Sequence, residues 1–163
     1  MTGWKDSLLK LFTMTTLKME VALSAYFNCR ANIIVPNISW GFGIHECDLF
    51  VLRPSGYATE VEIKISKSDL MADFKKKHTH SDKRIQNIYY ALPSDLHEAC
   101  KDLIPEHAGI LTVSESSVVA RKRIATKRKD AVPLSLKEQL AIARLGTLRV
   151  WRLKQKMLLN NQK

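Results

Sequence analysis

A chain of 163 residues with 45% hydrophobic residues can bury one core, which excludes a largely disordered polymer. Its 26 Lys and Arg against 16 Asp and Glu give a formal net charge of +10. That excess favours polyanionic partners, nucleic acid ahead of an anionic membrane, because no long apolar span is present.

The start, Met1 to Asp6, shows no continuous apolar segment followed by a small-residue cleavage site, so a cytoplasmic protein is expected. Cys29, Cys47 and Cys100 are far apart with no CxxC spacing, which argues against a disulfide framework and a structural zinc site. From Thr16 to Asn28, Leu17, Val21, Ser24 and Ala25 recur at helical spacing, predicting a first helix that carries Glu20. Ile33-Ile34-Val35 reads as a short strand limited by Pro36-Asn37. Gly41 and Gly43 then loosen the chain. Glu46 to Leu52 and Tyr57 to Ile65 form a predicted hairpin about the turn Arg53-Pro54-Ser55-Gly56.

Ser66 can cap a helix from about 67 to 77, with Asp69 in its first turn. Asn87 to Leu92 is the next strand, ended by Pro93. Ser94 is expected to cap a short helix carrying Leu96, Ala99, Cys100 and Leu103. Ala108 to Val113 and Val118 to Ile124 are the last strands. After Pro133, Ser135-Leu136-Lys137-Glu138 is a capping-box signature for a helix reaching about 159. Leu140, Ala143, Leu148, Trp151 and Leu158 are its expected apolar contacts, and Gly146 weakens its middle. The expected fold is a single mixed α/β domain: a core over about 16–124, a basic connector over 121–133 and a C-terminal helix over 135–159.

Within the strand from Glu60 to Ile65, side chains alternate. Val61, Ile63 and Ile65 share one face, while Glu60, Glu62 and Lys64 share the other. Asp48 lies on the other arm of the hairpin, where the turn can bring it alongside Glu62. Glu20 can add a third carboxylate if its helix crosses the sheet. Hard cations such as Mg²⁺ or Mn²⁺ want oxygen ligands, which Asp48, Glu62, Glu20 and the Ile63 carbonyl can supply. Such a cation activates water for phosphodiester hydrolysis, and Lys64 can orient that water or stabilise developing charge. The other reading of Glu60, Glu62 and Lys64 is a solvated, ion-paired strand face.

Glu20 on a helix, Asp48 on a strand, Glu62-Ile63-Lys64 on the next strand and then a helix resemble the PD-(D/E)XK nuclease superfamily. That group includes restriction endonucleases and Holliday-junction resolvases. Pro36 to Gly41 and Glu62 to Leu70 are similar to small bacterial and phage members related to DNA repair. The resemblance spans roughly Thr16 to Val113 and implies a restriction-endonuclease-like αβββαβ core. It also implies Asp48 and Glu62 as metal ligands, Lys64 as catalytic lysine, Glu20 as auxiliary ligand, DNA as substrate and a homodimer. Cys47 stands where the motif has proline. The function expected is a Mg²⁺- or Mn²⁺-dependent deoxyribonuclease, structure-selective or weakly sequence-specific, acting in DNA repair, recombination or phage DNA processing. No small-molecule cofactor and no membrane partner are expected.

Basic side chains supply candidate phosphate contacts. Lys75, Lys76, Lys77, Lys83 and Arg84 surround His78 and His80, whose spacing resembles metal ligands but lacks a cysteine partner. Gln86 follows, and in some relatives of the superfamily a glutamine after the ExK strand joins the site. Tyr89 and Tyr90 point in opposite directions, one to the core and one toward the cleft. Arg121, Lys122, Arg123, Lys127, Arg128 and Lys129 form the densest run, a phosphate contact or a strand edge guarded by charge. His45-Glu46 is a strand-edge polar pair, with a second metal or base role as the alternative. The last helix, with Arg144, Arg149, Arg152, Lys154 and Lys156, can bind nucleic acid or form a dimer face. The alternatives to a DNA endonuclease are a non-catalytic DNA-binding or recombination accessory protein on the same fold, and an RNA-directed nuclease.

Overall fold

The computed structural model describes residues 14–38, 46–75 and 82–161. Helix α1 (Thr16–Tyr26) is followed by β1 (Ile33–Ile38), β2 (Cys47–Leu52), β3 (Ala58–Ile63) and α2 (Lys67–Asp73). Then come β4 (Ile85–Pro93), a 3₁₀ turn (Ser94–Leu96) leading into α3 (His97–Cys100), β5 (Gly109–Val113), β6 (Val119–Arg123) and α4 (Leu136–Asn160). From Thr16 to Pro93 the elements thus follow the expected αβββαβ order.

The six strands form one mixed sheet in sequence order, β1 to β6. The first three make an antiparallel meander. Strands β3, β4 and β5 run parallel, joined by α2 and α3, and β6 returns antiparallel to β5. Two successive crossovers of the same hand, moving the same way across a sheet, leave their helices on one face. Accordingly Leu70 of α2 and Cys100 of α3 join Phe50, Ile88, Tyr90, Ile142 and Leu145 in one core. Helix α1 covers the opposite face, where Met19, Ala22 and Leu23 pack with Leu49, Val61, Ile63, Tyr89 and Leu111.

Several expectations shift. Helix α1 is capped by Thr15, which accepts the Lys18 N–H, and ends at Tyr26; Asn28 lies beyond it at φ 55°. Asn tolerates the left-handed conformation that commonly terminates a helix. Leu17 and Val21 face solvent, and the buried stripe is Met19, Ala22 and Leu23. A helix with apolar residues on several sides offers two candidate stripes, and only packing chooses between them. Strand β1 continues through Pro36 because it is an edge strand, where a missing donor is tolerated. Asn37, at φ 53°, then breaks its alternation, so that Ile38 joins the Val35 core.

Ser66 caps α2 by accepting the Asp69 N–H at 3.1 Å. Helix α2 stops at Asp73, before the expected end, and residues 76–77 lie outside the described residues, as do Gly41, Gly43, His45, His78 and His80. Ser94 does not cap α3: it opens the 3₁₀ turn, and Pro93 closes β4 in register with Val113. The capping box of α4 forms, with Ser135 N–H donating to Glu138 at 2.8 Å. Its core contacts are Ile142 and Leu145, whereas Leu140, Leu148, Trp151 and Leu158 are exposed. Gly146 lies against the sheet, where a Cβ would come within 3.3 Å of Val35.

Candidate active site

Strand β3 is central, and all six of its residues are buried. Burying charge is costly unless the charges compensate each other. The alternation of β3 puts Val61 and Ile63 under α1 and turns Glu60, Glu62 and Lys64 toward the face carrying α2. These three are buried, so a solvated ion-paired strand face does not describe them.

Asp48 lies beside Glu62 on the neighbouring strand, as the register Leu49↔Val61 requires. Its Oδ2 accepts the Ile63 N–H at 2.8 Å, which anchors the carboxylate between the two strands. Lys64 Nζ donates to Glu62 Oε2 at 2.8 Å and to Asp73 Oδ1 at 3.1 Å, and lies 3.9 Å from Asp48 Oδ2. Asp73, on α2, accepts from the Tyr90 hydroxyl at 3.4 Å. The Lys64, Glu62 and Asp73 side chains are almost fully enclosed, while that of Asp48 is 36% exposed. Asp48 is therefore the solvent-facing member of the cluster.

Burial pushes the Glu62 carboxyl up to about 7, and the charge of Asp48 adds to the effect, outweighing the pull of Lys64. Asp48 is raised by burial as well, partly offset by the Ile63 N–H. For Lys64, burial works against the charged form, yet Glu62, Asp73 and Asp48 together hold the ammonium above its ordinary range. Burial raises the Tyr90 phenol, and Asp73 and Glu62 raise it further. Glu20 stands at the rim: Asn37 donates to its Oε1 at 3.3 Å, and burial raises its carboxyl, with a further contribution from Asp48.

The sequence-predicted set is thus brought together for Asp48, Glu62 and Lys64, with Glu20 peripheral. Among the described residues, no three His, Cys, Asp or Glu side chains are grouped as a cation cage. The donor set that fits a hard cation is Asp48 and Glu62, the latter raised by burial and by the charge of Asp48, supplemented by a backbone carbonyl such as that of Ile63. Asp73 escaped the sequence reading. It stands four residues after Asp69 and three after buried Leu70, on the α2 face that meets the sheet, and that spacing could have revealed it. Tyr89 and Tyr90 do point oppositely: Tyr89 meets Phe27 of the α1 side, and Tyr90 reaches the cluster through Asp73.

The basic candidates divide by their bonds. Arg121, Lys122, Lys127 and Lys129 are exposed, as is Lys75; Lys83 is exposed and 3.6 Å from Asp130. Arg84 is half-buried, bonded to Asp82 and Glu138, and joins the start of β4 to the cap of α4. Arg123 donates to the carbonyls of Ala108, Ile104 and Pro105. Arg128 donates to the Asp82 carbonyl, and its own N–H bonds the carbonyl of Gln86, which lies within β4. Lys76 and Lys77 lie outside the described residues.

No described helix is long and apolar enough to cross a membrane. No family model and no curated protein matches the chain. Among solved structures, the fold is similar to that of a protein of unknown function from Silicibacter pomeroyi, with a TM-score of 0.64 and 17% sequence identity. The similarity covers 88% of this chain and 91% of that one, and it establishes a shared fold.

Proposed function

We propose that the protein is a divalent-metal-dependent endonuclease of the PD-(D/E)XK type acting on DNA. The observation that carries this reading is the pairing of Asp48 with Glu62 across β2 and β3, with the Lys64 ammonium 2.8 Å from Glu62 and 3.9 Å from Asp48. A Mg²⁺ or Mn²⁺ ion held by Asp48, Glu62 and the Ile63 carbonyl would supply Lewis acidity, acidifying water and offsetting charge on the phosphoryl oxygens.

The residues of the chain do the rest. Asp48, tied to the Ile63 N–H, presents its carboxylate where solvent and a phosphate can approach. Glu62 and Asp73 fix the Lys64 ammonium, so that it meets developing negative charge without first reorganising. Exposed Arg121, Lys122, Lys127 and Lys129 would contact phosphates nonspecifically, consistent with structure-selective or weakly sequence-specific cutting.

A cleavage panel tests this reading, with Mg²⁺, Mn²⁺ or EDTA on linear, nicked, flapped, single-stranded and four-way DNA. Divalent-dependent cutting by wild type and none by Asp48→Asn is the expected outcome. Equal cutting by the two would remove the assignment, and stronger cutting of matched RNA would redirect it to RNA. A second reading, a non-catalytic DNA-binding or recombination accessory protein, is favoured by one observation: Lys64 already occupies Glu62 Oε2, an oxygen a cation would need. Salt-dependent DNA binding without cleavage under any divalent condition is its signature.

A further inference from the structure

Helix α4 runs alongside β1 in the same direction. Gln139 lies at the β2–β3 turn, where a Cβ on Gly56 would come within 3.2 Å of its side chain. Gly146 lies by Val35, and Arg149 donates to the Asn37 carbonyl. The register Pro36↔Leu49 and Ile38↔Cys47 sets Asn37 beside Asp48, and the Asn37 amide holds Glu20 at the rim of the site. The helix therefore reaches the Asp48 end of the sheet at Arg149 and continues past it. Val150 to Asn160 extend about 16 Å further, and all of them are exposed.

Ile142, Leu145, Arg149, Arg152 and Lys156 follow one another at steps of three and four, so they line one side of the helix. The first two are buried against the sheet and the third is bonded to β1, so Arg152 and Lys156 carry that side beyond the end of the sheet. Val150, Met157, Leu158 and Trp151, with Lys154 over the Trp151 ring, fall on the other side. No Asp or Glu follows Glu138 on the helix, and Glu138 is already bonded to Arg84. The extension is cationic without internal compensation.

We propose that this extension of α4 is the arm that holds DNA across the Asp48 opening, with Arg152 and Lys156 on backbone phosphates; this rests on DNA being the partner of that site. The cluster sets the Asp48, Glu62 and Asp73 carboxyls against one ammonium, so cations outside it must draw a phosphate there. Two basic surfaces compete for that role. The run on β6 is four strands from Asp48, about 19 Å across the sheet, whereas the α4 stripe borders the strand next to Asp48. Exposed charges are screened beyond about 8 Å at physiological salt, so the α4 stripe is the one that acts at the opening. An anionic membrane fits the helix less well. A bilayer would take up the apolar side, which turns Arg152 and Lys156 away from its headgroups and toward the side of the site.

Fluorescence anisotropy of the full chain on duplex DNA in EDTA, over a salt series, reads binding without cleavage. Arg152→Ala with Lys156→Ala is expected to weaken binding about tenfold or more at physiological salt. It should also reduce the slope of log affinity against log salt by about 2, at roughly 0.9 for each phosphate lost. Both side chains are exposed, so the circular dichroism spectrum and melting temperature should not change. Arg152→Lys with Lys156→Arg keeps both charges and should restore the slope. Val150→Ser with Met157→Ser, on the opposite side, should bind as wild type does. With Mg²⁺ present, the alanine pair should raise KM for cleavage. An unchanged slope in the alanine pair, while wild type binds DNA, overturns the arm and leaves the nuclease reading intact. Wild type that binds no DNA removes both. A reduced slope with no cleavage under any divalent condition keeps the arm and removes the nuclease. If Val150→Ser with Met157→Ser abolishes binding to phosphatidylserine vesicles and the alanine pair binds DNA normally, the occupant is a membrane and the proposal is wrong.

Discussion

Lys64 Nζ donates to Asp73 Oδ1 at 3.1 Å, linking the central strand of the sheet to the last residue of α2. The same nitrogen bonds Glu62, so one buried ammonium is held by carboxylates from two elements. If Lys64 serves the chemistry, Asp73 serves Lys64 as a positioning residue. Asp73→Asn keeps the shape and removes the charge. It should lower kcat by about ten- to a hundredfold with little change in KM, because only orientation in the transition state is lost. Single-turnover rates measured beside KM check this; a matching fall in DNA affinity would show a binding role instead.

Lys64→Ala carries a cost that the sequence did not foretell. Removing this ammonium takes away the cation that compensates the buried carboxyls of Glu62 and Asp73. Breaking a buried ion pair in this way costs about 3–5 kcal/mol. Urea denaturation should show that loss for Lys64→Ala and only a small change for Asp48→Asn, since Asp48 is partly exposed and asparagine can still accept the Ile63 N–H. Asp48→Asn is therefore the cleaner probe of catalysis.

The raised Glu62 carboxyl makes the metal-free protein sensitive to pH. Its folded value, about 7, lies above the ordinary 4.5, so between these two values the native state binds more protons than the unfolded state. Unfolding free energy must then fall as pH rises from 4.5 to 7, as far as this group is concerned. In EDTA, Glu62→Gln should flatten that slope. Mn²⁺ affinity should move the other way, weakening as pH drops below about 7, because the ion must displace a proton. Calorimetric titration across that range, compared with Glu62→Gln, measures both parts.

The exposed and bonded arginines of β6 should respond differently. Arg121→Ala with Lys122→Ala should leave the melting temperature unchanged and reduce the slope of log affinity against log salt by about 2, at roughly 0.9 for each phosphate no longer neutralised. Arg123→Ala should instead lower the melting temperature, since its guanidinium holds the carbonyls of Ile104, Pro105 and Ala108. Fluorescence anisotropy over a salt series, with thermal melts of the same proteins, separates the two roles.

Gly109 is a purely structural test. It pairs with Tyr89, and a Cβ there would overlap the Tyr89 ring and come within 2.8 Å of the Ala125 nitrogen. Gly109→Ala should destabilise by about 1–3 kcal/mol through overpacking. Chemical denaturation would show it, and an unchanged midpoint would mean that both the Tyr89 ring and the Ala125 backbone give way freely.

The sequence by itself determined the local elements and the division of β3 into an apolar and a charged face. Those features follow from spacing, caps and turns: Ser66 and Ser135 cap the predicted helices, and Pro54 to Gly56 turns the hairpin. It also paired Asp48 with Glu62, because a short hairpin turn fixes its own register. Tertiary structure decided what local pattern leaves open. A helix with two candidate stripes buries Met19, Ala22 and Leu23 only because that stripe fits the sheet, and α4 turns Ile142 and Leu145 inward while Leu140 and Trp151 stay outside. Arginines that look alike in the sequence separate into exposed and bonded ones according to which carbonyls the fold leaves beside them. Above all, the fold placed Asp73 on Lys64. The two stand nine positions apart; helical spacing from Leu70 marks Asp73 as facing the sheet, but only the crossover to α2 sets it on Lys64, where a buried charge needs compensation.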